Sequence, residues 1–208
     1  MTSLPEDSWL LSLKPQLEPV TAEEYEALPE DIAKTIEVVD GYIVHCEAPT
    51  PDHQLAGRRL ANLVERYARA AMERGRGCLT VNNDIDLRIR DVPLLNRRPD
   101  VVLYRCLDRD GGERLRAEHA LLVVEIVSPG SETQDTADKL TEYAQAGIPH
   151  YWIVRLDGGG VSVVQRYQLD RAAMLYKHTG TFMKDEAGDP PRVANPIPME
   201  IDWAELEF

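Results

Sequence analysis

The stretch from Ala120 to Val154, ALLVVEIVSPGSETQDTADKLTEYAQAGIPHYWIV, constrains the fold more than any other part of the chain. It reads as strand, loop, helix, strand. Leu121 to Val127 is a short apolar run of the kind found in a strand covered on both faces, yet Glu125 stands in its middle. Desolvating an ionised carboxylate is costly unless it is paired, hydrogen-bonded or bound to metal, so Glu125 either belongs to a structural network or serves chemistry. Ser128-Pro129-Gly130 breaks the strand, and Thr133 or Asp135 is placed to cap a helix that runs to Gly147. Lys139 falls one turn after Asp135 and one turn before Tyr143, so the three share a helical face. His150 to Arg155 resumes as a strand. A strand, a crossover helix and a second strand imply parallel or mixed pairing with a right-handed connection.

The 208 residues suffice for one domain with a substantial core. A single domain over 1–208 is therefore expected, with 1–20 as an N-terminal arm and 169–208 as peripheral strands and tail. Cys46, Cys78 and Cys106 are widely spaced and odd in number, which fits core thiols in a reducing cytosol better than a disulfide framework. The N-terminus lacks a basic start followed by an apolar run, and no stretch approaches the roughly 18 apolar residues of a membrane span. A cytoplasmic protein without a membrane partner is expected.

The formal net charge of -13 speaks against a nucleic-acid partner, but the charge is unevenly distributed. Arg58 to Arg116 holds 14 arginines and no lysine against nine acids, while the flanking segments are strongly acidic. Such a segment is either a phosphate-binding face or an ordinary solvated face laced with ion pairs.

Along the chain, Thr21 to Glu24 matches a capping box that opens a short helix closed by Pro29. Thr35 to Val39 and Tyr42 to Cys46 flank Asp40-Gly41, a primed-turn hairpin sequence, with Glu37 on the face of Thr35 and Val39. Asp52 caps the longest helix, which ends at Gly75. Asn83 to Arg90 alternates as a half-exposed strand, and Pro99-Asp100 leads into the strand ending at Tyr104. Val161 to Gln168 reads as an antiparallel return strand, followed by short pairing segments at Leu175-Tyr176 and Phe182 and a proline-marked tail. The fold class is α/β: a mixed sheet flanked by helices, with an added N-terminal helix and hairpin.

Glu37, Asp100 and Glu125 each lie on a strand or at its end. Clustered carboxylates are what Mg²⁺ or Mn²⁺ requires, and Lys139 beside them would stabilise charge on a phosphate under attack.

These residues resemble a known family. An acid before the long helix, Pro99-Asp100 on a strand, Glu125 within an apolar strand and a lysine-bearing helix are similar to the PD-(D/E)XK restriction-endonuclease-like superfamily. Val123 to Pro129, Asp135 to Lys139, Tyr143, Gly147-Ile148, Tyr151 to Val154, Glu37 to Gly41, His53 and Arg98 to Asp100 resemble, more narrowly, its Uma-type family of bacterial nucleases.

The resemblance implies a Mg²⁺- or Mn²⁺-dependent endonuclease acting on nucleic acid, with DNA the first expectation. Asp100, Glu125 and the main-chain carbonyl of Ile126 would bind the ion, Glu37 would support the ion or its water, and Lys139 would assist catalysis. The superfamily lysine falls two residues after the Glu, where this chain has Val127, so Lys139 stands as a relocated substitute. His53, at the start of the long helix, is read first as a structural cap and second as a residue facing the cleft. The competing reading is a catalytically degenerate nuclease-fold module for nucleic-acid binding or assembly. Nucleases that cut both strands often act as dimers, which leaves a homodimer open.

Overall fold

The structure, a computed structural model, describes residues 18–46, 48–108, 112–127, 134–186 and 188–208, the side chains of 134 and 135 excepted. The expectations for Ser128-Pro129-Gly130, Thr133 and the Asp135 side chain, and most of the N-terminal arm, lie outside the described residues. In chain order come α1 (Ala22–Glu26), α2 (Glu30–Ala33), β1 (Ile36–Val39), β2 (Tyr42–His45) and α3 (Pro51–Glu73). Next are β3 (Leu79–Asn83), β4 (Leu87–Arg90), β5 (Leu95–Arg97), β6 (Val101–Arg105) and β7 (Ala120–Val127). Then follow α4 (Gln134–Gln145), β8 (His150–Asp157), β9 (Gly160–Asp170), β10 (Leu175–Met183), β11 (Arg192–Val193), β12 (Met199–Glu200) and α5 (Trp203–Leu206). The mixed α/β class follows directly from this order and from the sheet pairing below.

The chain divides into two compact units, Met1–Ala48 with Arg88–Arg97 and Pro49–Leu87 with Arg98–Phe208. The first carries a four-stranded sheet in the order β2-β1-β5-β4. Its helix α1 opens with the capping box: Thr21 Oγ1 accepts from the amide of Glu24, and the Glu24 carboxylate accepts from the amide of Thr21 at 2.8 Å. The β1–β2 hairpin turns at Asp40 and Gly41, both at positive φ (51° and 85°), as a primed turn requires. Tyr25, Ile36, Val38 and Leu94 form its apolar core.

The second unit is built on a six-stranded sheet, β10-β9-β8-β7-β6-β3. β7 runs parallel to β8, the pair joined through α4, while the β3–β6, β6–β7, β8–β9 and β9–β10 pairs are antiparallel. Leu60, Leu63, Val64 and Ala68 of α3 pack with Leu103, Leu122, Val124, Trp152 and Val164, and the C-terminal Ile197, Ile201 and Leu206 join the same core. Because side chains alternate along a strand, Ile126 shares this α3 core while its neighbour Glu125 turns to the opposite face, toward α4.

Several boundaries differ from the sequence reading. Thr50, not Asp52, caps α3: its Oγ1 accepts from the amide of His53, and Pro51 occupies the first helical position. The alternating run from Asn83 to Arg90 is not one strand. Asp84 takes a positive φ of 51°, ending β3 in the large sheet before β4 begins in the small one, and alternation alone does not register such a change of sheet. Leu175 to Met183 is one strand with a bulge between His178 and Gly180. Gly180, at φ 141°, allows that bulge to lie against Arg166, since a Cβ there would come within 2.7 Å of the guanidinium.

The cysteine expectation is overturned. Cys78 and Cys106 form a disulfide with a Cα separation of 5.3 Å, and Cys46 is an exposed thiol. Pairing Leu79 with Arg105 across β3–β6 brings the two preceding and following cysteines opposite one another, a consequence of register that a 28-residue separation conceals. The argument from three unpaired thiols to a reducing compartment is thereby removed. Among the described residues no helix is long and apolar enough to cross a membrane.

Candidate active site

β6 and β7 bring two acids to one end of the large sheet. Val101 pairs with Val124, so Asp100, immediately before β6, stands beside Glu125 of β7. The Asp100 Oδ2 accepts from the main-chain amide of Ile126 at 2.6 Å, and its Oδ1 lies 2.6 Å from Nε2 of His53 in the first turn of α3. Glu125 is gripped from α4: Lys139 Nζ donates to Oε2 at 3.1 Å and the Tyr143 hydroxyl donates to Oε1 at 2.7 Å. One helical turn separates Lys139 from Tyr143, which is why both reach the same carboxylate. Each oxygen of both acids thus has a hydrogen-bonding partner.

Burial grades across the site. The side chains of Glu125 and Lys139 are 9% and 11% exposed, whereas those of Asp100 and His53 are 21% and 19% exposed. The ion pair therefore lies inside and the Asp–His pair at the rim. Hydrogen bonding to Asp100 raises the His53 pKa above its ordinary value, against the opposing effect of desolvation. Behind Glu125, the fully buried Tyr143 meets Tyr151 with ring centroids 5.5 Å apart, and Tyr151 stacks on Tyr176 at 5.6 Å. This aromatic packing fixes the helix that presents Lys139.

The family whose description reads "Uma2: Putative restriction endonuclease" matches residues 22–195. This chain belongs to the Uma2 family. No curated protein matches the sequence. Among solved structures, the Uma2 chain is similar to one titled "Crystal structure of a putative nuclease belonging to DUF820" from Anabaena variabilis ATCC 29413. The two are 15% identical with a TM-score of 0.61, and the match covers 88% of this chain and 95% of the other. At that identity the likeness establishes the fold alone, the mixed α/β sheet flanked by helices described above.

Of the site residues expected from sequence, Asp100, Glu125, Lys139 and the main chain of Ile126 come together in the second unit of this Uma2 chain. Glu37 lies in the first unit, buried, where it accepts from Arg97 Nη1 at 2.7 Å. Among the described residues no group of three or more His, Cys, Asp and Glu side chains is arranged to hold an ion. The charged oxygen donors at hand are the two carboxylates of Asp100 and Glu125. That set suits a hard cation such as Mg²⁺, which commonly uses one or two carboxylates and keeps several waters.

Sequence reading ranked His53 first as a cap, and the structure instead sets its ring against Asp100. Its place in the first turn of the longest helix was legible, but the meeting of residues 47 apart was not. The arginine-rich segment also resolves differently from a bare phosphate-binding face. Arg66 pairs with Glu205, Arg69 with Glu65, Arg88 with Asp91 and Glu26, Arg90 with Asp40, and Arg98 with Asp84 and Asp86. These pairs, with Arg97–Glu37, neutralise part of the positive charge, and Arg58, Arg74 and Arg76 are exposed.

Proposed function

We propose that this Uma2 chain is a Mg²⁺- or Mn²⁺-dependent endonuclease that hydrolyses phosphodiester bonds of nucleic acid, DNA in the first instance. The observation that carries the reading is Lys139: from a helix, it places its ammonium 3.1 Å from Glu125, beside the strand on which Val127 has left the superfamily's lysine position apolar. Asp100 and Glu125 would hold the ion with the Ile126 carbonyl. When bound, such an ion supplies Lewis-acid stabilisation and lowers the pKa of coordinated water.

The chain's own groups supply the rest. Tyr143 and Lys139 fix the Glu125 carboxylate, so the charge of that group is held in place before substrate arrives. The Lys139 ammonium is a compact positive charge in a poorly hydrated setting, where it is effective against negative charge gathering on a phosphate. The pairing of part of the arginine segment with nearby acids leaves a basic face that contributes to binding with a weaker salt dependence than a fully unpaired one would give.

The test is an assay of the purified chain on single- and double-stranded DNA and RNA with Mg²⁺, Mn²⁺ or EDTA. Cleavage is expected with either metal and not with EDTA. Asp100→Ala and Glu125→Ala are each expected to reduce it about a thousandfold, or roughly 4 kcal/mol at 1.36 kcal/mol per tenfold. Lys139→Ala should lower turnover by about 100-fold, comparable to loss of one preorganised electrostatic donor. Cleavage that survives both acid substitutions refutes the assignment. Metal-independent binding without cleavage favours the degenerate-module reading instead, which the full hydrogen-bonding of both carboxylates also supports.

A further inference from the structure

We propose that His53 is a positioning residue for Asp100, one that sets this carboxylate for uptake of the divalent cation; the inference rests on the metal-dependent reading above. The carboxylate is held at both ends by groups from different elements, Oδ1 by the His53 ring on α3 and Oδ2 by the Ile126 amide on β7, each at 2.6 Å. Two grips from separate elements fix both the position and the plane of the group, which a single hydrogen bond does not.

The backbone that carries the imidazole is itself held in place. Thr50 Oγ1 accepts from the amide of His53, and Pro51 restricts the backbone at the start of the helix. One turn later Gly57 lies close over β7, where a Cβ would meet Cδ1 of Ile126 at 3.7 Å. Ile126 thus seats α3 through its side chain and grips Asp100 through its amide, so the two donors on the carboxylate share one anchor. An ionised carboxylate has no proton to give, so Nε2 carries the hydrogen in this contact, and that nitrogen does not ligate a cation while it donates. His53 accordingly acts through Asp100. Groups that orient a ligating carboxylate in this way typically contribute 10- to 100-fold to metal affinity.

The experiment measures Mn²⁺ affinity of the full chain by titration calorimetry and by electron paramagnetic resonance of free Mn²⁺, for wild type, His53→Ala, His53→Gln and Asp100→Asn. Melting curves in EDTA accompany each variant. His53→Ala is expected to bind Mn²⁺ about 10- to 100-fold more weakly than wild type. His53→Gln, which retains an N–H donor of similar reach, should recover most of that loss, and both should melt near wild type. A role confined to helix structure would shift melting and leave affinity in the folded protein unchanged. Equal or tighter Mn²⁺ binding by His53→Ala, with Asp100→Asn still impaired, overturns this inference alone. If wild type takes up neither Mn²⁺ nor Mg²⁺, the metal-dependent reading fails and the inference falls with it.

Discussion

Two buried acid–base pairs, one in each unit, are made in different ways. In the small sheet, Val38 pairs with Asn96, so Glu37 stands directly across the ladder from Arg97, with side chains 7% and 4% exposed. That pair is made by the register of one sheet, and it uses a guanidinium, whose planar fork and permanent charge suit a fixed partner. In the large sheet, Glu125 meets Lys139 from a helix and Tyr143 one turn further on, while its neighbour Asp100 reaches the half-exposed rim. Similar burial therefore accompanies two different constructions. The first pair lies within one ladder, whereas the carboxylates of the second take their donors from separate elements.

The sharpest challenge to this contrast is Glu37→Ala. Removing one partner of a buried pair leaves the other charge uncompensated, so urea denaturation should show a loss of roughly 3–5 kcal/mol. Replacing Glu37 and Arg97 together by methionine should recover most of it. An unchanged midpoint for Glu37→Ala would break the comparison, and loss of cleavage by Glu37→Gln at full stability would move Glu37 into the functional group of acids. Next in size is the Cys78–Cys106 bond, which joins β3 to the strand that follows Asp100. Its reduction should cost about 2–4 kcal/mol, read as a fall in the unfolding midpoint with dithiothreitol that a Cys78→Ala/Cys106→Ala protein does not show.

Tyr143→Phe is a smaller intervention on the large-sheet side. It withdraws one donor from a buried carboxylate, and a cost of roughly 1–3 kcal/mol is expected in urea denaturation. No measurable change would mean that the hydroxyl does little for Glu125. The last effect is confined to acid pH and concerns His150 at the start of β8, where burial pushes the pKa from 6.5 down to about 4. Between those values the unfolded chain binds the proton and the folded chain does not, so this residue's contribution to stability is present above about pH 6.5 and is lost as the pH falls toward 4. His150→Gln should flatten that acid limb in midpoints measured across the window, while leaving neutral-pH cleavage as it was.

Sequence by itself determined the elements whose signals are local. The capping box at Thr21, the Asp40-Gly41 hairpin, the apolar strand interrupted by Glu125 and the helical face shared by Lys139 and Tyr143 each depend on residues within one or two turns or on a two-residue pleat. Local alternation misread the junction at Asp84, because a strand pattern does not reveal which sheet receives it. Tertiary structure decided which charges meet. His53 finds Asp100 across 47 residues, Arg97 finds Glu37 across 60, Arg66 finds Glu205 across 139, and Cys78 finds Cys106 across 28. Those partners are chosen by strand register and by how helices seat on the sheet, quantities set by the packing of the whole core and carried by no short stretch of the chain.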